Sequence, residues 1–257
     1  MQSYFYRWAA VWLALCGAAY PGGAQTPNNA SSGQAAPQAA PKLTGFPWQN
    51  ETLHYTVSYQ SGLSIGDVTF TASKTGSGWN FHVTTSAGVP GFNINDAYRS
   101  STGPAPDLCS VSLERDTSHG SKVGKEKTTF DQQAGSAERV TLLPEGGGRT
   151  TFNIGTCARD AVAYAYFARE ELGQGRVPPS LTTYFGSAYS VTTTYTGSED
   201  ITAGNKRTTT DHLNISVKGP RSDFHFEVFY ARDPARTPLE IRVPLSLGTF
   251  SLDLVRP

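Results

Sequence analysis

The sequence predicts an all-β, mainly antiparallel fold with one short helix, its sheet curved into a barrel-like or half-barrel form. Three observations predict it. Charged residues are 16% of the 257 and aromatic residues 11%, with Ser, Thr, Gly and Asn in place of the missing charge; that mixture suits pleated strands and their turns. Apolar and polar residues alternate with period two along most of the chain. One Ala-rich segment breaks that period.

The front of the chain differs from the rest. Residues 1–24 are expected to be a signal peptide: Arg7 precedes an apolar run from Trp8 to Tyr20, and Gly22-Gly23-Ala24 offers small residues for cleavage before Gln25. The run is short for a membrane span, which needs about 20 apolar residues. Leu15 before Cys16 argues against lipidation, which needs a small residue there. Residues 25–45, dominated by Ala, Pro and Gln, offer little to bury and are expected to be a disordered linker. The expected location is outside the cytoplasm, in the periplasm or outer envelope of a bacterium, with no integral membrane segment left after cleavage. Residues 46–257 are then a single β-rich domain.

Strand signals begin with Leu53, Tyr55, Val57 and Tyr59 on one face and His54, Thr56 and Ser58 on the other. Val68-Phe70-Ala72, the turn Thr75-Gly76-Ser77-Gly78 and Trp79-Phe81-Val83 form a hairpin pattern. Further runs are Val111-Leu113, Val140-Leu142, Phe152-Ile154 and Val191-Thr193-Tyr195. Leu213-Ile215-Val217, Phe224-Phe226-Val228 and Phe250-Leu252-Leu254 follow. Turn clusters at 145–148, 203–205 and 218–220 separate some of them. The pattern amounts to about ten to twelve strands.

The exception is Asp160–Leu172, which has no Gly or Pro, can be capped by Asp160 and is followed by Gly173 as a stop. It predicts a helix of about three turns. Tyr164, Tyr166 and Phe167 surround much of its circumference, which suits a helix buried against or inside a curved sheet.

Cleavage after Ala24 removes Cys16 and leaves Cys109 and Cys157, a candidate disulfide in an oxidising compartment. Its loop of about 49 residues would stabilise the fold by roughly 4 kcal/mol on a chain-entropy basis.

Charge and motifs narrow the function. Lys+Arg and Asp+Glu are both 21, with a pI near 7.0, so no summed field attracts nucleic acid. No Gly-x-Ser-x-Gly, Ser-x-x-Lys, His-Glu-x-x-His, Cys-x-x-Cys or phosphate-binding glycine loop occurs. His54, His82, His119, His212 and His225 are scattered, so no metal ligands, catalytic residues or cofactor are assigned. Arg232, Asp233 and Arg236, held between Pro234, Pro238 and their neighbours, form a candidate ligand or partner rim. The competing reading makes Asp233 a turn former and the ion-pair partner of Arg236. Arg159-Asp160 suits a helix cap better than an acid–base pair.

Glu51–Tyr59 leading into Ile65-Gly66-Asp67-Val68 resembles the start of the bacterial domain-of-unknown-function 3108 family. So do the Asp160 helix ending in Arg169 and Leu172-Gly173-Gln174-Gly175, and the Asp233–Pro238 loop with the Gly248-Thr249-Phe250 strand. The resemblance runs from about residue 46 to the end and implies a Gram-negative-type envelope protein with a barrel-like β fold around the helix. It implies no activity and no catalytic residues.

Three functions compete. In the first, a non-catalytic periplasmic protein encloses a lipid or other hydrophobic ligand, with Tyr55, Tyr59, Phe70, Phe81, Phe226, Phe250, Tyr164 and Phe167 lining its cavity. In the second, an envelope scaffold recruits a protein partner through strand edges or the Arg232–Arg236 rim. The third, an envelope hydrolase using Asp67, Asp160 or Asp233, lacks any supporting motif.

Overall fold

In the computed structural model, residues 50–255 are described, apart from 60–61, 90, 144–146, 221 and 246–247. The expected signal peptide and linker lie outside the described residues. The first arm of the sheet comprises β1 (Asn50–Tyr59), β2 (Leu63–Lys74), β3 (Trp79–Val89) and β4 (Phe92–Thr102). It continues through β5 (Ser110–His119), β6 (Lys122–Asp131), β7 (Ser136–Thr141) and β8 (Arg149–Asn153). The two-residue β9 (Arg159–Asp160) leads into helix α1 (Ala161–Gly173). The second arm then runs through β10 (Leu181–Tyr184), β11 (Ala188–Ala203), β12 (Lys206–Gly219), β13 (Ser222–Ala231), β14 (Pro238–Leu245) and β15 (Gly248–Val255).

All these strands belong to one open, curved sheet of 15, with β8 and β9 at its two ends. Each arm is a meander of neighbours in sequence, and β1 pairs antiparallel with β15 to join the arms at the centre, Tyr55 opposite Leu254 and Tyr59 opposite Phe250. The exception to antiparallel pairing is β9 beside β10, the parallel pair that a crossover through α1 permits. The two ends of the sheet are joined by only residues 154–158, which span at most about 20 Å when extended. The sheet is therefore forced to curl around α1.

Period-two patterning located most strands of both arms. It did not find β4, β6, β10, β14 or the two-residue β9, so the expected ten to twelve strands fall short of the 15 in the sheet. On β4 the inward set is Ile94, Asp96, Tyr98, Ser100 and Thr102, all buried, so apolar alternation is interrupted by polar residues that still face in. β6 is mostly charged residues and Thr, with Val123 exposed and Phe130 its one buried apolar residue.

One extra residue in β11 turns the sheet inside out locally. Before the irregularity at Tyr195/Gly197, Tyr189, Val191 and Thr193 are buried on the inner face. Beyond it the same parity places Ile201 and Ala203 on the outer face, where they join Phe229, Ala231 and Leu239 in a second, smaller cluster. The His212 ring stacks on Phe229 at 4.3 Å, and the Arg242 guanidinium lies 4.2 Å from the centre of that ring.

Helix α1 forms where expected, and both of its ends are satisfied. Asp160 Oδ1 accepts the Val162 and Ala163 amides at 2.9 and 3.0 Å. Its other oxygen accepts the Ser100 and Ser110 hydroxyls, each at 2.6 Å. At the other end Gly173 is the last helical residue rather than the terminator. Gln174 caps, and Gly175 takes the left-handed φ of +75°. The Gly175 and Arg176 amides donate to Leu172 and Glu171 carbonyls, closing the helix in a Schellman pattern.

Cys109 and Cys157 form a disulfide, with Cα atoms 4.7 Å apart. It ties the β4–β5 connection, midway along the first arm, to the β8–β9 connection that leads into the second. No helix among the described residues is long and apolar enough to cross a membrane.

Candidate binding site

Between α1 and the inner face of the second arm lies a cavity of about 120 Å³, partly open to solvent. Its strand wall is Val191 on β11, Ile215 and Val217 on β12, alternate residues Phe224 to Tyr230 on β13, Ile241 and Val243 on β14, and Leu252 on β15. Phe70 and Thr183 add to it from β2 and β10. The helix wall is Ala161, Tyr164, Ala165, Tyr166, Ala168 and Arg169. The three alanines keep part of this side of the helix shallow, so a gap remains between it and the strands opposite.

The charged group of this wall and the Tyr164 hydroxyl are engaged within the protein. The buried Arg169 guanidinium makes a two-pronged ion pair with Glu51, both contacts 2.7 Å, and its Nε donates to the Ala235 carbonyl. Burial alone would lower its pKa, but Glu51 outweighs burial and holds the guanidinium more firmly protonated. Tyr164 and Thr193 share a hydrogen bond of 2.8 Å. Burial pushes the Tyr164 hydroxyl up to about 12, and it likewise raises Tyr166 and Tyr230, so these phenols are neutral at ordinary pH.

Three of the aromatic residues singled out in the sequence line the cavity: Phe70, Phe226 and Tyr164. The other five pack elsewhere. Tyr55 lies edge-on to Phe70 and donates to the Pro238 carbonyl at 2.7 Å. Phe81 stacks on Tyr166 at 4.0 Å, behind the helix wall. Tyr59 packs on Phe250 at 4.9 Å, and Phe167 faces the Arg159 guanidinium 3.8 Å from its ring centre. Alternation identifies an inward face; it does not say which inward residues touch each other and which border a gap. The aliphatic and alanine lining carried no distinguishing signal.

The Arg232–Arg236 loop is tied down from within. Asp233 accepts the Thr237 amide and hydroxyl at 3.0 and 2.7 Å, making it the turn former of the competing reading. The partner of Arg236 is not Asp233 but Asp211 on β12, at 2.6 Å, and Arg232 bonds to the same carboxylate at 2.9 Å. Arg236 is buried, while half of the Arg232 side chain remains in solvent.

The inner face of the first arm is different in kind. Asp96 is buried on β4, accepting from the Tyr98 hydroxyl at 2.7 Å and meeting His119 Nε2 at 2.8 Å. Arg115 pairs with Glu126 at 2.6 Å and lies 4.0 Å from the centre of the Phe185 ring. Arg139 donates to the Gly186 carbonyl. Gly186 has φ +73°, and a Cβ there would collide with the Arg115 guanidinium. The β10–β11 turn of the second arm is thus clasped by the polar face of the first. Sequence patterning missed this constellation, because its residues lie on five separate strands and turns.

Of the three aspartates considered for hydrolysis, Asp160 caps α1, Asp233 closes its turn and Asp67 is exposed on β2. The described residues contain no group of three or more His, Cys, Asp or Glu placed to hold a metal ion.

Fold and site together define an open antiparallel sheet curled around one helix, with an apolar cavity on one arm and a polar clasp on the other. The chain belongs to the DUF3108 family, described as proteins of unknown function, whose model matches residues 54–255. Comparison with curated proteins and with solved structures returned no match.

Proposed function

We propose that this chain is a non-catalytic binding protein of the bacterial cell envelope that holds a hydrophobic ligand between α1 and strands β11–β15. The observation that carries the reading is the cavity itself: its wall is almost wholly hydrocarbon, and the Arg169 and Tyr164 groups that border it are bonded within the protein. A charged ligand entering would lose its water and find the one charged group of the wall already paired, whereas an apolar one gains from burial. The expected export signal and linker suit a tethered carrier in the periplasm.

Native mass spectrometry of the full chain exported to a bacterial periplasm tests the reading, followed by solvent extraction of what co-purifies. A stoichiometric apolar mass is the expected result. A clean protein mass that stays unchanged after incubation with envelope lipid extract would overturn it. The scaffold reading is favoured by a separate feature. Strand β8 is an end of the sheet and four of its five residues are exposed, so an extended segment of a partner can add to it. Crosslinking from Thr151 to an envelope protein, with no ligand found, would support that reading instead.

A further inference from the structure

We infer that the turns at one end of the first arm, with the β14–β15 turn beside them, form a rim that docks on the surface of an anionic lipid bilayer. The inference goes beyond the carrier reading and does not depend on it, because it stands on turn residues and not on the cavity.

Antiparallel pairing sorts the turns of the sheet into two sets, one at each end of the strands. One end carries residues 75–78, 103–109, 132–135, 204–205 and 232–237. The one large apolar residue among them, Leu108, is fully buried. The other end is different. Leu63 begins β2, Val89 ends β3, Phe92 begins β4, Val123 is the second residue of β6, Leu142 follows β7 and Leu245 ends β14. Leu63, Val123 and Leu142 are 61%, 64% and 47% exposed, and the other three are partly so. Their five turns are neighbours in the sheet, in the order β7–β8, β5–β6, β3–β4, β1–β2 and β14–β15. At ordinary strand spacing they stand about 10 Å apart, and the curl of the sheet bends them into an arc. The Phe92 ring lies over Gly120 of the neighbouring turn, where a Cβ would meet it at 3.1 Å. Val111, Val177, Tyr195 and Val255 are also exposed but stand singly elsewhere. A lone exposed Val is ordinary. A row of apolar residues in adjacent turns, where Gly, Asn, Asp and Ser are usual, marks a surface for an apolar medium.

Three features fit that medium to a bilayer. Together the six side chains offer a few hundred Å², against about 800 Å² per partner in a stable protein interface. Each tip projects from its own turn and can enter the headgroup–acyl boundary independently, whereas a protein would need a pocket opposite each. Cations stand beside the tips: Lys122 directly precedes Val123, and Lys218, at the end of β12, is on the next turn along, 68% exposed and 3.9 Å from Asp223. That order of groups suits an anionic headgroup zone. Finally, Leu245 lies two residues from Val243 of the cavity wall on the same face of β14, a distance of about 7 Å, so the rim is continuous with the apolar wall.

Flotation of the full chain with vesicles of phosphatidylethanolamine and phosphatidylglycerol tests this, with phosphatidylcholine vesicles alongside. The apolar run from Trp8 to Tyr20 can itself meet lipid, so variants of the same full chain are compared. Leu63→Ser combined with Val123→Ser should weaken binding more than about tenfold while circular dichroism stays unchanged. Val111→Ser combined with Val255→Ser, at the other end of the sheet, should change it less than about twofold. Lys122→Glu should weaken binding to the phosphatidylglycerol vesicles alone. Leu142→Ser repeats the comparison if the first pair fails to fold. Equal losses from the two pairs, or no loss from either, would overturn the inference. So would a parent chain that floats with neither vesicle; if that chain sediments as a dimer which the Leu63 and Val123 substitutions dissociate, the rim joins two copies instead. The carrier reading is decided separately, by the mass of what co-purifies.

Discussion

Strands β11–β15 turn Val191, Ile215, Val228 and Val243 inward and leave a space against α1, whereas β4–β7 turn Asp96, Arg115, Glu126 and Arg139 inward and close on the Phe185–Gly186 turn. Both arms are meanders with the same alternation. They differ in how their inner faces are satisfied. An aliphatic face has no valences to complete, so a gap against it costs lost packing of a few kcal/mol and nothing more. A face of carboxylates and guanidinium groups must find partners or water. The first arm finds many of them in itself and in the turn of the second. The arm that keeps an apolar gap is therefore the one with least need of a partner.

Breaking the charge that borders the apolar arm should have the largest effect. Arg169→Met leaves the partly buried Glu51 unpaired and removes a buried side chain, and should cost about 2–4 kcal/mol in urea unfolding. Adding Glu51→Gln should restore much of that loss, because the orphaned charge is then gone. If the double variant is no better than the single one, lost packing of Arg169 and not the ion pair holds this end of the helix.

In the polar arm the sharpest probe is Gly186→Ala, which combines a positive φ with a collision against Arg115. A loss of about 1–3 kcal/mol is expected, with faster amide exchange across β10 and the start of β11. Unchanged exchange there would mean that the clasp does not hold the arms together.

Asp160 links the two regions, since it caps α1 and receives hydroxyls from β4 and β5. Burial raises its pKa, against the opposing hydrogen bonds from Ser100, Ser110 and the helix amides. The folded state therefore holds this proton more tightly than the unfolded one. Its contribution is full below about pH 4, the ordinary carboxylate value, and is lost as pH rises through the higher folded value. Asp160→Asn, which keeps an acceptor for the helix amides, should flatten that slope in urea midpoints measured across mildly acidic pH. A slope identical to that of the parent protein would assign the dependence to another group.

The smallest effect should come from Arg232→Ala. Its side chain is 47% exposed, and exposed pairs contribute under about 1 kcal/mol. Arg236→Ala, which removes a buried partner from the same Asp211, should cost clearly more in the same unfolding assay. Equal losses would show that the loop is held by Asp233 and Thr237 alone.

Much of this molecule was legible in its residues. Alternation at Tyr55–Tyr59, Val68–Val83 and Leu213–Val228 is a local property, as are the capping of α1 by Asp160 and the helix-forming composition after it. Two cysteines in the expected mature chain made their pairing a simple choice. What the tertiary structure alone decided depends on which distant segments meet. The partner of Arg236 is Asp211, 25 residues earlier on β12, and that of Arg169 is Glu51, 118 residues earlier. The clasp on Gly186 draws on β5, β6 and β7 at once. The cavity is set by the distance between an alanine-faced helix and strands that follow it by up to about ninety residues. Periodicity reports which way a side chain points; whether anything stands opposite it is fixed by packing over the whole chain.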